Sequence, residues 1–147
     1  MNSNDFVQIV NECHWNRLCS IMDDAAKEPG EVLIGGAASK EKRKIEPTVV
    51  IDPPKDGAMM REEIFGPLLP IFTFSDLAEP LEEIATREHP LVVYIYSKNK
   101  RNIRRIQDNT RAGATAVNMS LMHIANNHLP FGGIGHSGLG KTNGEHG

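Results

Sequence analysis

Residues 91–117 have the sequence LVVYIYSKNKRNIRRIQDNTRAGATAV, in which a polar segment separates two apolar runs. The runs at 91–96 and 112–117 have the length of buried strands and are continuously apolar or small. Between them, Ile103 and Ile106 have the spacing of one helix face. Because continuous apolar strands joined by a helix form right-handed crossovers, this segment predicts two parallel strands in a sheet buried on both faces.

The residues before this segment continue the same alternation. An apolar run at 68–74 precedes a helical pattern that contains Leu77, Leu81 and Ile84. Pro80 falls within this pattern and must lie in the first helical turn, because a proline deeper in a helix removes a hydrogen bond and breaks the helix. The predicted fold class is therefore α/β, with a parallel-sheet βαβαβ unit in the second half of the chain.

The first half of the chain predicts an amphipathic helix followed by short strands. Apolar residues recur every three or four positions from Asp5 to about Lys27, and Ser3 and Asn4 are the candidate helix caps. Two short strands and the turn or hairpin between them follow the helix, at residues 31–34, 48–51 and 39–44.

Composition and charge narrow the classes of protein. The chain has 147 residues, 39% of them hydrophobic, a formal net charge of −3 and a mean hydropathy of −0.35. These values argue for one globular domain and against disorder, and the longest apolar run is far shorter than a membrane helix of roughly 20 residues. With no basic excess, we expect no nucleic-acid partner and interpret the basic residues at 98–111 as a solvated helix face.

The two cysteines, Cys13 and Cys19, both fall in the predicted first helix, on different faces. We interpret them as small buried side chains in the middle of a helix rather than as nucleophiles or a disulfide. The amino terminus has no basic and apolar signal segment, and the cysteine usage fits a reducing compartment. We therefore expect a cytoplasmic protein.

Two segments carry candidate chemistry. The segment Gly135–Thr142, GHSGLGKT, matches the phosphate-binding pattern GxxxxGK[ST], but Pro130 makes a poor strand of the residues before it, so we expect a tight loop or a frayed end there. The segment 62–67, EEIFGP, is either a solvated acidic turn with Phe65 as a core anchor, or a carboxylate at a sheet edge that accepts hydrogen bonds from sugar hydroxyls or transfers protons. The scattered histidines predict no metal site.

Four blocks of this sequence together resemble the aldehyde dehydrogenase superfamily, and most closely its class 3, fatty-aldehyde-type branch. They are EEIFGPLLP at 62–70, REHPL at 87–91 leading to Tyr94, Asn118, and LPFGGIGHSG at 129–138. The resemblance covers essentially the whole chain but only the carboxyl-terminal part of such an enzyme. It implies that residues 1–147 are a partial aldehyde dehydrogenase catalytic domain. The dinucleotide-binding domain, the nucleophile segment and the terminal oligomerisation strand are expected to be absent from this chain.

The resemblance also implies the chemistry and the site residues. In the family a cysteine thiolate attacks an aldehyde, hydride passes to NAD or NADP, and water releases the carboxylic acid. Glu63 resembles the carboxylate that holds the nicotinamide ribose and is a candidate for proton transfer, and Phe65 resembles the aromatic residue beside the nicotinamide. Asn118 and Phe131 resemble substrate-pocket residues. The family forms homodimers, whereas the partner of this chain stays open.

Neither cysteine resembles the family's nucleophile, which lies in a Gly-Gln-x-Cys motif. Because residues that act as one catalytic unit are strongly non-additive, we predict that this chain alone does not oxidise aldehydes. The alternative from a different class is an inactive binding or interaction module that pairs with a full-length aldehyde dehydrogenase through exposed sheet edges. A third alternative is phosphate binding by the glycine-rich tail.

Overall fold

The computed structural model describes residues 6–27 and 29–146. Its contacts divide the chain into two compact units, the first ending at Thr73 and the second beginning at Phe74. Both units combine helices with strands, which confirms the predicted α/β class. Among the described residues, no helix is long and apolar enough to span a membrane. That residues 1–147 form one partial catalytic domain stays a prediction.

The first unit packs helices on a mixed sheet. Its described elements are α1 (Glu12–Ala25), β1 (Glu31–Ile34), β2 (Ala38–Ser39), β3 (Lys44–Ile45), β4 (Thr48–Ile51), α2 (Ala58–Arg61) and β5 (Leu68–Ile71). The sheet order is β1-β4-β5, with β1 antiparallel and β5 parallel to β4. The strands β2 and β3 form an antiparallel hairpin, as the polar turn predicted.

One face of α1 forms the core of the first unit. Leu18 is completely buried, and full burial of a side chain of this size contributes about 1.5–3 kcal/mol. The buried residues that pack together come from α1, α2 and the strands: Leu18, Ile21, Met22, Ala25, Ile45, Val50, Met59 and Leu68. The amphipathic pattern of the sequence therefore identified the correct helix face.

The start of α1 differs from the prediction. The helix begins at Glu12, because the Asn11 Oδ1 accepts a hydrogen bond from the backbone N–H of His14 at 2.8 Å and caps it. The backbone N–H of Ile9 donates instead to the carbonyl of Arg43 at 2.7 Å, which keeps the preceding residues out of the helix. The candidate caps Ser3 and Asn4 lie outside the described residues.

The second unit contains the parallel pair. Its described helices and strands are α3 (Ala78–Ala85), β6 (Val92–Ile95), α4 (Lys100–Asn109) and β7 (Ala114–Val117). The strands β6 and β7 are parallel neighbours with α4 between them, and Val92 lies opposite Ala114. Pro80 lies in the first turn of α3, as expected.

The predicted βαβαβ unit does not form one continuous sheet. Its first strand, β5, pairs with β4, while β6 and β7 form a separate two-stranded sheet. Pairing with β4 brings Leu68 into the core beneath α1. The expectation of burial on both faces is also wrong, because Ile95 is the buried residue of β6 and Ala116 that of β7. An apolar run identifies a strand but not its neighbour.

Candidate functional site

The segment 62–67 connects α2 to β5, and Arg17 of α1 holds it from behind. The Arg17 Nη1 donates to Glu62 Oε2 at 2.9 Å and to the Glu63 carbonyl at 3.3 Å. Its Nη2 donates to the Ile64 carbonyl at 2.6 Å. One guanidinium therefore binds three consecutive residues of the segment.

Phe65 is not a core anchor. It is 80% exposed, whereas Ile64 packs against the core of the first unit. Its φ is +49°, in the left-handed region that non-glycine residues rarely adopt. Because the backbone is bound at Ile64 and turns at Phe65, the aromatic ring is presented to solvent. This overturns the interpretation of the segment as a simple turn anchored by Phe65.

The two carboxylates of the segment have different surroundings. Glu62 forms the ion pair with Arg17, while the Glu63 side chain is exposed and makes no hydrogen bond or ion pair with the other described residues. An ionised carboxylate is an acceptor for paired hydroxyl groups, and an exposed aromatic ring stacks on planar heterocycles. Glu63 and Phe65 therefore fit a ligand that contains a sugar and a planar ring.

A groove of about 610 Å³ in the first unit borders Phe65. Phe65, Gly66 and Pro67 line it together with residues before and at the start of α1. Those residues are Phe6, Val7, Gln8, Ile9, Val10 and His14. The exposed face of the 62–67 segment therefore borders a concave and mostly apolar surface.

Asn118, in the second unit, joins the carboxyl ends of β6 and β7. Its Oδ1 accepts from the Ser97 N–H at 2.9 Å, and its Nδ2 donates to the Ser97 carbonyl at 3.0 Å. Its φ of +54° is one that asparagine tolerates better than most residues. Both polar atoms of the amide are thus used to connect the two strand ends.

Phe131 belongs to a row of three rings in the second unit. The centroid of the His123 ring lies 5.7 Å from that of Tyr94 and 6.1 Å from that of Phe131. Both ring nitrogens of His123 are shielded from solvent and lack a hydrogen-bond partner within the described chain. The His123 ring therefore packs between the rings of Tyr94 and Phe131.

The glycine-rich segment is a closed loop. Phe131 and Thr142 exchange two backbone hydrogen bonds of 2.7 Å. The Lys141 Nζ donates to the carbonyls of Gly132, at 2.8 Å, and Gly113, at 3.2 Å. This lysine is engaged by backbone oxygens, and a short 3-10 turn, not an α-helix, follows at Gly144–His146. The geometry agrees with interpreting the phosphate-loop match as accidental.

The cysteines differ in part from the prediction. Cys13 lies in the first turn of α1 and is exposed, rather than buried in the middle of the helix. Cys19 is half-buried against the core, and burial, with a smaller contribution from Asp23, raises the pKa of its thiol. A raised pKa lowers the thiolate fraction at neutral pH, which agrees with a packing role for Cys19.

The structure thus places the four candidate residues in two pairs. Glu63 and Phe65 share one exposed segment of the first unit, while Asn118 and Phe131 follow β7 in the second. Sequence reasoning missed the residues that hold them, namely Arg17, His123 and Lys141. One signal was present for Arg17, a cation directly before the apolar residue Leu18 on the buried side of an amphipathic helix.

Comparisons with known proteins identify the family of this chain. The model of the aldehyde dehydrogenase family matches residues 2–147. Aldehyde dehydrogenase family 3 member H1 of Arabidopsis thaliana is 40% identical over 146 residues, which are 99% of this chain and 30% of that protein. The substrate-bound structure of Staphylococcus aureus AldH has a TM-score of 0.84 at 40% identity, and the match covers 94% of this chain and 30% of that one.

A structure with bound cofactor is also similar. A betaine aldehyde dehydrogenase of Staphylococcus aureus in complex with NAD+ has a TM-score of 0.81 at 25% identity, over 95% of this chain and 29% of that chain. The chain spans about 30% of the length of the relatives it matches. The family match over nearly all residues and the family 3 relatives confirm the resemblance seen in the sequence, and the chain belongs to the aldehyde dehydrogenase family.

Proposed function

We propose that this chain supplies one wall of the cofactor site and part of the substrate pocket of an NAD(P)+-dependent enzyme that oxidises an aldehyde to a carboxylic acid. The observation that carries the proposal is the exposed pair Glu63 and Phe65, held from behind by Arg17. Members of the family use NAD or NADP. A carboxylate with no partner among the described residues, beside an exposed ring, suits the nicotinamide riboside half of either cofactor.

Each candidate residue has a distinct task in this proposal. The Glu63 carboxylate accepts hydrogen bonds from the ribose hydroxyls, and the Phe65 ring packs on the nicotinamide side. When bound, the cofactor supplies a hydride acceptor. Phe131 contributes an apolar wall for the aldehyde, and Asn118 keeps the ends of β6 and β7 together.

By this proposal the chain alone does not catalyse the reaction. The family's thiolate lies in a Gly-Gln-x-Cys motif that neither Cys13 nor Cys19 matches. Covalent catalysis without its nucleophile leaves little acceleration. The thiolate therefore comes from residues other than these 147, and homodimeric pairing and a cytoplasmic location are parts of the proposal.

Titration calorimetry of NAD+ and NADP+ into the 147-residue chain tests the cofactor role. We expect saturable binding that Glu63→Gln weakens and that Glu41→Gln leaves unchanged. Glu41 is an exposed carboxylate in the β2–β3 hairpin, so both substitutions remove the same charge. Absence of heat from the wild-type chain would contradict cofactor binding by this chain. Measurable aldehyde oxidation by the chain alone would contradict the expected inactivity.

A second candidate function is an interaction module that pairs with a full-length aldehyde dehydrogenase. The observation that favours it is β1, an edge strand of the described sheet in which all four residues are exposed. Leu33 and Ile34 are 58% and 59% exposed, and an unpaired apolar edge is suited to strand addition. Co-purification with a full-length relative, lost on Leu33→Lys, would favour the module over the cofactor wall.

A further inference from the structure

The planar guanidinium of Arg17 fits the positions of three acceptors in residues 62–64, which the ammonium group of a lysine would not do. It makes its contacts with Glu62 Oε2 and with the carbonyls of Glu63 and Ile64 at the same time. The Arg17 side chain is only 26% exposed, so these contacts are partly shielded from water. A rigid planar fork can hold several acceptors in one relative orientation, whereas an ammonium group is a point charge. The contacts therefore constrain the backbone of residues 62–64 directly.

A second contact from α1 constrains the other side of Phe65. A Cβ atom on Gly66 would lie 2.5 Å from Leu18 Cδ2 and 2.7 Å from Leu18 Cδ1. Leu18 is completely buried and follows Arg17 directly in the helix. The backbone is thus bound at Ile64 by Arg17 and pressed at Gly66 against Leu18. Phe65, between these two points, has the left-handed φ of +49°.

This arrangement separates the side chains of the segment into two sets. In extended backbone successive side chains point to opposite sides, and Glu62 at the end of α2 has an extended φ of −133°. Glu62 and Ile64 are held toward α1 and the core, while Glu63 and Phe65 are exposed. The two candidate cofactor contacts therefore lie on the side of the segment away from Arg17.

We propose that Arg17 is the positioning residue of this cofactor wall, because its fork holds the backbone of residues 62–64 so that Glu63 and Phe65 point outward together. The inference rests on the proposed function for the role of Glu63 and Phe65, but the positioning itself is a property of the chain without cofactor. Arg17 touches neither cofactor nor substrate in this proposal. It acts through the backbone that carries the two contact residues.

Three substitutions separate the fork from the charge and from the ion pair. Arg17→Gln removes the charge and the fork, and Arg17→Lys keeps the charge and a long stem but removes the fork. Glu62→Gln is the matched control, since it removes the ion pair and leaves both backbone carbonyls available to Arg17. Each variant of the full chain is labelled with 15N and 13C and its NMR spectra are compared with the wild type.

The decisive readout is the backbone of Phe65. A left-handed residue gives a strong intraresidue NOE between the amide proton and Hα, and a residue that has relaxed to extended backbone does not. We expect Arg17→Gln and Arg17→Lys to lose this signal and to speed the exchange of the Phe65 and Gly66 amides, with the spectrum of β4 unchanged. Glu62→Gln keeps the signal. A merely stabilising arginine would lower the melting temperature without moving Phe65.

The outcomes separate the positioning role from the cofactor role. Retention of the Phe65 signal in both Arg17 variants overturns the inference, as does its loss in Glu62→Gln to the same extent. Failure of both Arg17 variants to fold also overturns it, because Arg17 would then belong to the general fold. NAD+ is added to the same samples, and we expect Arg17→Gln to raise its Kd about tenfold, as Glu63→Gln does. Absence of NAD+ binding by the wild type contradicts the proposed function, while the Phe65 signal still decides the role of Arg17.

Discussion

The Asp24 Oδ2 accepts a hydrogen bond of 2.8 Å from the backbone N–H of Ala58, so a side chain of α1 caps the first turn of α2. The Gly57 at the N-cap position has no side chain to do this. The Asp24 Oδ1 accepts in addition from Lys27 Nζ at 2.9 Å. The hydrogen bond from Ala58 in the first place, and that from Lys27 in the second, hold the pKa of the Asp24 carboxyl below its ordinary value.

The cap makes part of the stability of the first unit dependent on pH. A carboxyl whose pKa is lower in the folded state stabilises that state above its unfolded value, 3.8, and loses this effect as pH falls through the lower folded value. We expect Asp24→Ala to lower the melting temperature clearly at pH 7. The gap between wild type and variant should close as pH falls below 3.8.

The control for this prediction is Asp24→Asn, which keeps an oxygen acceptor for Ala58 but removes the charge. Its melting temperature should lie between those of the wild type and Asp24→Ala at pH 7. The pKa of Glu12 is also lowered, by Lys40, so the comparison must be made between variants rather than on the wild-type curve alone. A gap that stays constant from neutral to acid pH would contradict the cap.

Gly66 is expected to tolerate no side chain while Leu18 is intact. A Cβ at 2.5 Å from Leu18 Cδ2 must displace a side chain that is completely buried. Overpacking of this kind costs about 1–3 kcal/mol, so Gly66→Ala should lower the free energy of unfolding measured with urea by that amount. Gly135→Ala is the comparison, because a Cβ there has open space around it and adds only the cost of a left-handed φ.

A double-mutant cycle tests the cause of that loss. Leu18→Ala removes the two methyl groups that a Cβ on Gly66 would meet. Gly66→Ala should therefore cost less in the Leu18→Ala background than in the wild type. Equal costs in both backgrounds would show that Leu18 is not the obstacle.

Lys141 is expected to hold the loop that carries Phe131. Lys141→Met removes the hydrogen bonds to the carbonyls of Gly113 and Gly132 and should cost the loop about 1–3 kcal/mol. We expect faster hydrogen exchange at the amides of Phe131 and Thr142, which close the loop. His136→Ala, at an exposed position of the same loop, should leave this exchange unchanged.

The same variant tests the remaining alternative for the glycine-rich tail. A lysine that donates to backbone carbonyls is not available to bind phosphates, so neither the wild type nor Lys141→Met should bind ATP. Saturable ATP binding by the wild type that is lost in Lys141→Met would restore the phosphate-loop interpretation and contradict the role of Lys141 as a loop clamp.

Local sequence patterns predict the positions of the helices and strands, whereas contacts between residues far apart in the sequence are not visible in those patterns. Periodicity located the strands and helices because burial repeats along each element, and it identified the buried face of α1. It failed at the start of α1, where a single cap at Asn11 ends the extended segment. It also failed for Phe65, whose aromatic side chain favours burial but is exposed. The segment that carries Phe65 is held by Arg17, which lies 45 to 47 positions away from its partners in sequence.

The sequence motifs predicted the candidate contact residues of the site but not the residues that hold them in place. The resemblance gave Glu63 and Phe65 as one pair and Asn118 and Phe131 as another, but not what holds them. Arg17 lies outside every motif, and its role depends on the fold bringing α1 against residues 62–64. The pairing of β5 with β4 was also not predictable, since the apolar sequence of a strand does not indicate which strand it pairs with.

Asn118 is the residue for which the motif and the structure suggest different tasks, and exchange measurements can distinguish them. Its amide bonds to both backbone groups of Ser97, and its own N–H donates to Ile95 at 2.8 Å. Asn118→Ala removes both side-chain bonds and places alanine at a φ of +54°, so we expect a loss of roughly 1–2 kcal/mol. Asn118→Asp keeps the acceptor and should lose about half as much. If the Ser97 amide exchanges at the wild-type rate in Asn118→Asp and fast in Asn118→Ala, the acceptor Oδ1 connects the strand ends. If exchange is unchanged in both variants, the amide is free to contact substrate, as the family resemblance alone implies.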